Sequence, residues 1–161
     1  MNPETQKLSQ LLTQETLLAT KLLELMQQEQ NVLEQGLLEP LKTITIDKAD
    51  CLDQIEAISR KRVQLLFSLS KAPSTVERMK DYIANQPQPI NESLTLAVEN
   101  LELALDKCRH QNSVNGMVIS MSQRNVQRNL NILKGTDSES MTYTQKGQTT
   151  SIGKVYGGLK V

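Results

Sequence analysis

Aromatic side chains are nearly missing from this sequence: three Tyr, one Phe and no Trp in 161 residues. That scarcity argues against a mixed α/β fold with a thick core and suits narrow leucine stripes on long helices. There is one histidine, so no Glu-x-x-His pair exists to build a di-metal bundle site. Two cysteines without partner-like spacing exclude a disulfide framework; Cys51 and Cys108 read as free, buried thiols of a reducing cytosol. Charge of one sign is absent too, with 18 basic and 18 acidic residues. No global attraction to nucleic acid or to a membrane surface follows. No apolar run approaches the ~20 residues that span a bilayer. The polar start "MNPETQKLSQ" does not resemble a signal peptide, and a cytoplasmic protein is expected.

What is present is helical periodicity. Asn2 can cap a first helix over about 3–35, with Pro3 at a first-turn position. Leu8, Leu11, Leu12, Leu18, Leu22, Leu25, Met26, Val32 and Leu33 supply its apolar positions, and Gly36 its stop. A second helix is expected over about 40–70, carrying Leu41, Ile44, Cys51, Ile55, Ile58, Leu65 and Leu69. Its start is open, because "TITI" at 43–46 is weak helix material. Ser74 with Glu77 has capping-box spacing and opens a short helix over about 74–84. "NQPQP" is a loop. Asn91 then caps a long helix over about 92–134. The spacing predicts an all-α fold: an antiparallel up-down bundle of three long helices plus one short helix, residues 1–134. The Ser-, Thr- and Gly-rich 135–161 is expected to be a flexible tail.

Charges on the first two helices fix a register. Facing residues of an antiparallel hairpin have a constant sum. Glu29 with Lys48 and Glu15 with Arg62 both give 77, as do Leu22 with Ile55 and Leu8 with Leu69. A second row gives 76 and sets Leu25 opposite Cys51. The turn then falls at residues 38 and 39. Such pairs add little stability, because desolvation offsets Coulomb attraction, but a slipped heptad would set charges against leucines. No nucleophile or metal set accompanies them, so they do not read as catalytic.

The long helix changes character midway. Its seam runs Leu94, Leu101, Cys108 and then Asn112, Asn115, Ile119, Ser122, Val126, Asn129 and Leu133. From Lys107 to Thr136 there is no acid, while Lys107, Arg109, Arg124, Arg128 and Lys134 are basic. Cations near a helix C-terminus complement its dipole, and a seam asparagine can set register. The functional reading is that this half overhangs the bundle. Val118, Met121, Val126, Leu130 and Leu133 would form a docking stripe for a partner helix, with Arg124 and Arg128 steering an acidic partner. The basic stretch has no interleaved aromatics, which speaks against single-strand nucleic acid. No phosphate loop, nucleophile elbow, cofactor motif or small-molecule site is visible, and no enzyme is expected.

Several segments together resemble the FlgN family of flagellar type III export chaperones. They are "EQNVLEQG", "DKADCLDQI", "SRKRVQLL", "NSVNGMV", "NLNILKG" and "MTYTQKGQT". The family's Lys and later Arg fall on Lys48 and Arg62. Its paired asparagines fall on Asn112 and Asn115, and its Tyr-x-x-x-Gly on Tyr143 and Gly147. The resemblance implies a cytoplasmic, non-enzymatic bundle; from the residues themselves, no cofactor or metal is expected. It implies binding of the C-terminal helices of hook–filament junction proteins and their delivery to the flagellar export gate. It places substrate binding on the last helix and tail, and gate engagement near Tyr143. The competing reading is a structural coiled-coil protein that self-assembles through the long helix at Asn112 and Asn115.

Overall fold

The computed structural model describes residues 2–134. Four helices run in the order α1 (Pro3–Gln35), α2 (Leu38–Leu69), α3 (Thr75–Ala84) and α4 (Ile90–Leu133). No strand occurs among the described residues. The Asn2 side chain accepts from the Glu4 N–H at 3.1 Å and opens α1. Gly36, at φ 68°, closes it in the left-handed conformation that a glycine adopts without strain. The N–H groups of Gly36 and Leu37 return to the carbonyls of Leu33 and Val32, the paired bonds of a Schellman motif.

α2 starts two residues before the expected position. Leu37 precedes it without a side-chain cap. Pro40 then sits in the first turn, where its missing N–H costs nothing. The "TITI" segment is helical, and Thr45 Oγ1 donates to the Leu41 carbonyl at 2.8 Å. α3 opens with a complete capping box at Ser74 and Glu77. Asn91, expected as a cap, lies inside α4. Its Nδ2 donates instead to the Ile83 carbonyl at 2.9 Å and ties α4 to the end of α3. The first turn of α4 is begun by Pro87, whose carbonyl accepts from Ile90 and Asn91.

Two side-chain hydrogen bonds report the helix directions. Cys108 Sγ donates to the Ala19 carbonyl at 3.2 Å, and Asn115 Nδ2 to the Met26 carbonyl at 2.8 Å. Both pairs are separated by 89 residues in sequence, so α4 runs parallel to α1. α2 runs antiparallel to both, giving an up-down-up bundle of three long helices. The core has two apolar clusters. Leu8, Leu12, Leu66, Met79, Tyr82, Leu94 and Leu101 form the first, where α3 closes the end of the bundle. Tyr82 Oη and Thr5 Oγ1 are 2.8 Å apart there, a buried hydrogen bond from α3 to the start of α1. Leu22, Leu25, Met26, Cys51 and Cys108 form the second.

Both cysteines are free and buried. They lie in the same apolar cluster. Burial pushes both thiols above their ordinary pKa, and for Cys108 the neighbouring Cys51 adds to the effect.

Candidate partner-binding site

Each apolar cluster is bounded by a charged layer, and the layers contain the pairs read from the sequence. Arg62 grips Glu15 with two bonds, Nε to Oε2 at 2.6 Å and Nη2 to Oε1 at 3.1 Å. Arg62 Nη2 also donates to Ser59 Oγ at 3.3 Å. Lys48 Nζ meets Glu29 Oε2 at 2.7 Å. Glu15 and Glu29 are both buried.

The pairs are as expected, but the backbone register differs from the one that a sum of 77 implies. α1 ends at Gln35 and α2 begins at Leu38, so the turn lies at Gly36 and Leu37 rather than at 38 and 39. Lys48 is ten residues past Leu38, whereas Glu29 is only six before Gln35. The four-residue offset is about 6 Å at 1.5 Å per residue. It is bridged because helical side chains lean toward their own N-terminus. In an antiparallel pair the two leans are opposed, so a lysine or arginine stem spans the difference. Cys51 is too short to do so. Its Sγ reaches the Leu18 carbonyl at 3.4 Å, a heptad before the Leu25 expected opposite it.

The upper layer recruits α4, which the sequence reading missed. Asn115 is 2 % exposed. One of its Nδ2 hydrogens goes to Met26 O and the other to Glu29 Oε2, at 2.8 and 2.7 Å. Gln111 Nε2 donates to Asn115 Oδ1 at 2.9 Å and to Gln30 Oε1 at 2.7 Å. Glu29 therefore accepts from α2 and α4 at once, and the layer crosses all three long helices. A signal existed in the seam row Leu94, Leu101, Cys108, Asn115. A polar residue at the fourth heptad of a buried row needs a polar partner, and Glu29, a seam acid of α1, has a second lone pair to offer beside Lys48. Asn112, its companion in the sequence pattern, is exposed.

The chain divides into two units after Ile119. In the second, every described residue is exposed. Met121 is 58 % exposed, Val126 57 %, Leu130 41 % and Leu133 83 %. Arg124 and Arg128 are exposed beside them, and Val118, in the first unit, is half-buried. The segment is α-helical to Leu133, so angular positions follow at about 100° per residue. Val126, Leu130 and Leu133 lie together. Met121 falls about 140° from Val126 and joins Arg124 and Arg128 instead. The helix thus does not bring the expected stripe onto one side. Tyr143 lies outside the described residues.

No group of three or more His, Cys, Asp or Glu side chains could hold a metal among the described residues. No helix there is long and apolar enough to cross a membrane. The class these features define is an all-α bundle protein whose last helix carries an exposed, amphipathic, acid-free segment. A model of the FlgN protein family matches residues 1–151. The chain belongs to the FlgN family and is a flagellar export chaperone. No match was found among the curated proteins or the solved structures.

Proposed function

We propose that this chaperone binds the C-terminal helices of the hook–filament junction proteins along α4, in the segment Val118–Leu133. Binding covers the surface through which those proteins assemble, so they stay unpolymerised until they reach the flagellar export gate. The protein acts in the cytoplasm, and its contribution is binding rather than catalysis. Tyr143 is the proposed anchor to the gate, an aromatic side chain beyond the end of α4. The observation that carries the reading is the combination on α4 of exposed Met121, Val126, Leu130 and Leu133 with no acid from Lys107 to Lys134. Methionine and arginine are side chains that adapt to a partner's surface and pair with its acids.

Self-assembly through Asn112 and Asn115 is less well supported. Asn115 is already committed to Met26 and Glu29 inside its own bundle. The test is a calorimetric titration with the C-terminal helical segment of a junction protein from the same genome. Binding at micromolar or tighter Kd is expected for the full chain, and loss of binding for a chain ending at Ile119. No binding by the full chain would refute the proposal.

A further inference from the structure

The exposed end of α4 has two apolar stripes rather than one. Taking Val126 as zero, Leu130 and Leu133 lie within about 40° of it. Arg124, Arg128, Met121 and Ile132 fall between about 160° and 240°, on the opposite side. Ile132 is 57 % exposed. Amides separate the stripes. Gln127 and Asn131 occupy one flank, joined by a Gln127 Nε2 to Asn131 Oδ1 bond of 2.9 Å. Asn125 and Asn129 occupy the other. The first stripe is branched, aliphatic and uncharged. The second is basic and built from a methionine, an isoleucine and two arginines.

One partner helix cannot cover both, because a helix contacts another along a single side. We infer that α4 is clasped by two helices of one partner chain. An acidic amphipathic helix lies on the Met121, Arg124, Arg128, Ile132 stripe. An uncharged apolar helix lies on the Val126, Leu130, Leu133 stripe. Charge complementarity assigns the first, since the described helix carries no acid after Asp106 to repel one. A single chain supplies both because the aliphatic stripe spans only about 10 Å and the basic one about 17 Å, and each offers few anchors. Two separate partners would each lose translational freedom for that small contact, whereas two linked helices lose it once.

The inference rests on the proposed chaperone function and deepens it. Full-length junction protein from the same genome is titrated calorimetrically into the wild-type chain and three variants. Arg124→Glu with Arg128→Glu attacks the basic stripe. Val126→Gln with Leu130→Gln attacks the aliphatic one, using a good helix former. Gln127→Ala serves as the flank control, and circular dichroism checks that helicity is kept. Each stripe variant is expected to weaken binding tenfold or more and the control less than twofold. Only the arginine variant's loss should shrink in high salt. A peptide of the C-terminal helix alone should respond to one stripe variant and not the other. Full affinity in Val126→Gln/Leu130→Gln overturns the clasp while leaving the chaperone function standing. A single-helix peptide weakened by both variants also overturns it. A concentration-dependent dimer of the free chain, abolished by Val126→Gln/Leu130→Gln, would give that stripe to a second copy and overturn it as well. Absence of any wild-type binding refutes the function and the clasp together.

Discussion

Glu15 is where a single side chain has the largest consequence. It is 2 % exposed and holds both of its oxygens against Arg62. Glu15→Ala leaves the guanidinium in a partly buried position with only Ser59 for company. Removing one partner of a buried pair costs about 3–5 kcal/mol, and denaturant unfolding of the variant should show a loss of that order. Replacing both residues together, Glu15→Leu with Arg62→Met, removes the uncompensated charge and should restore most of it. The thiols give a second prediction at this scale. Burial raises the folded-state pKa of Cys51 and Cys108. The unfolded chain therefore loses these protons first as pH rises. Their contribution is fully present below the ordinary thiol pKa and declines above it, so stability should fall with alkaline pH. Replacing both cysteines by alanine should flatten that part of the profile. Native protein should resist iodoacetamide, and unfolded protein should take up two equivalents.

Between helices, the two charged layers look alike in sequence but differ in what they join. Glu15–Arg62 links α1 and α2 alone. Glu29–Lys48 also carries Asn115 of α4, whose amide is oriented by the Met26 carbonyl. Exchanging the residues of each pair separates the two cases. Glu15→Arg with Arg62→Glu preserves the attraction and the opposed lean. Glu29→Lys with Lys48→Glu preserves the attraction but sets an ammonium against Asn115 Nδ2. The second exchange should cost about 1–3 kcal/mol more than the first, the penalty for a buried donor without an acceptor. Equal losses in chemical denaturation would mean that Asn115 is not coupled to the pair. These layers also show what the sequence makes legible. Charges facing each other every fourteen residues identify the pairs, because only one antiparallel alignment matches them. The backbone offset was hidden, since residue numbers do not record that long side chains lean. Asn115 was hidden for a related reason: a seam polar residue announces that it has a partner without saying on which helix. The early start of α2 was missed because Leu37 carries no capping side chain to mark it, and because the weak helix propensity of "TITI" is overridden by tertiary packing. The two opposed stripes at the end of α4 were in the sequence all along. They were merged because spacing was read as a stripe across a five-residue step from Met121 to Val126.

For the molecule as a whole, stability and the proposed recognition belong to different stretches of chain. Both apolar clusters and both charged layers are built from residues up to Asn115. The described residues after Ile119 are exposed throughout, so their apolar side chains contribute little burial to folding. Substitutions and deletions in exposed segments usually change stability by less than about 1 kcal/mol. A chain ending at Ile119 should therefore unfold in one cooperative transition. Its denaturant midpoint should lie close to that of the full protein, with a similar dependence on denaturant concentration. It should also lose binding to a junction-protein helix completely. The reverse chain, with Asn115→Ala in an otherwise intact sequence, should lose stability by opening the three-helix layer. It should keep its Kd for the helix at temperatures where the bundle remains folded. If the truncated chain unfolded in two steps or failed to fold, the segment after Ile119 would be part of the cooperative core. Its exposed leucines would then be a cost of folding that requires a different explanation from partner binding.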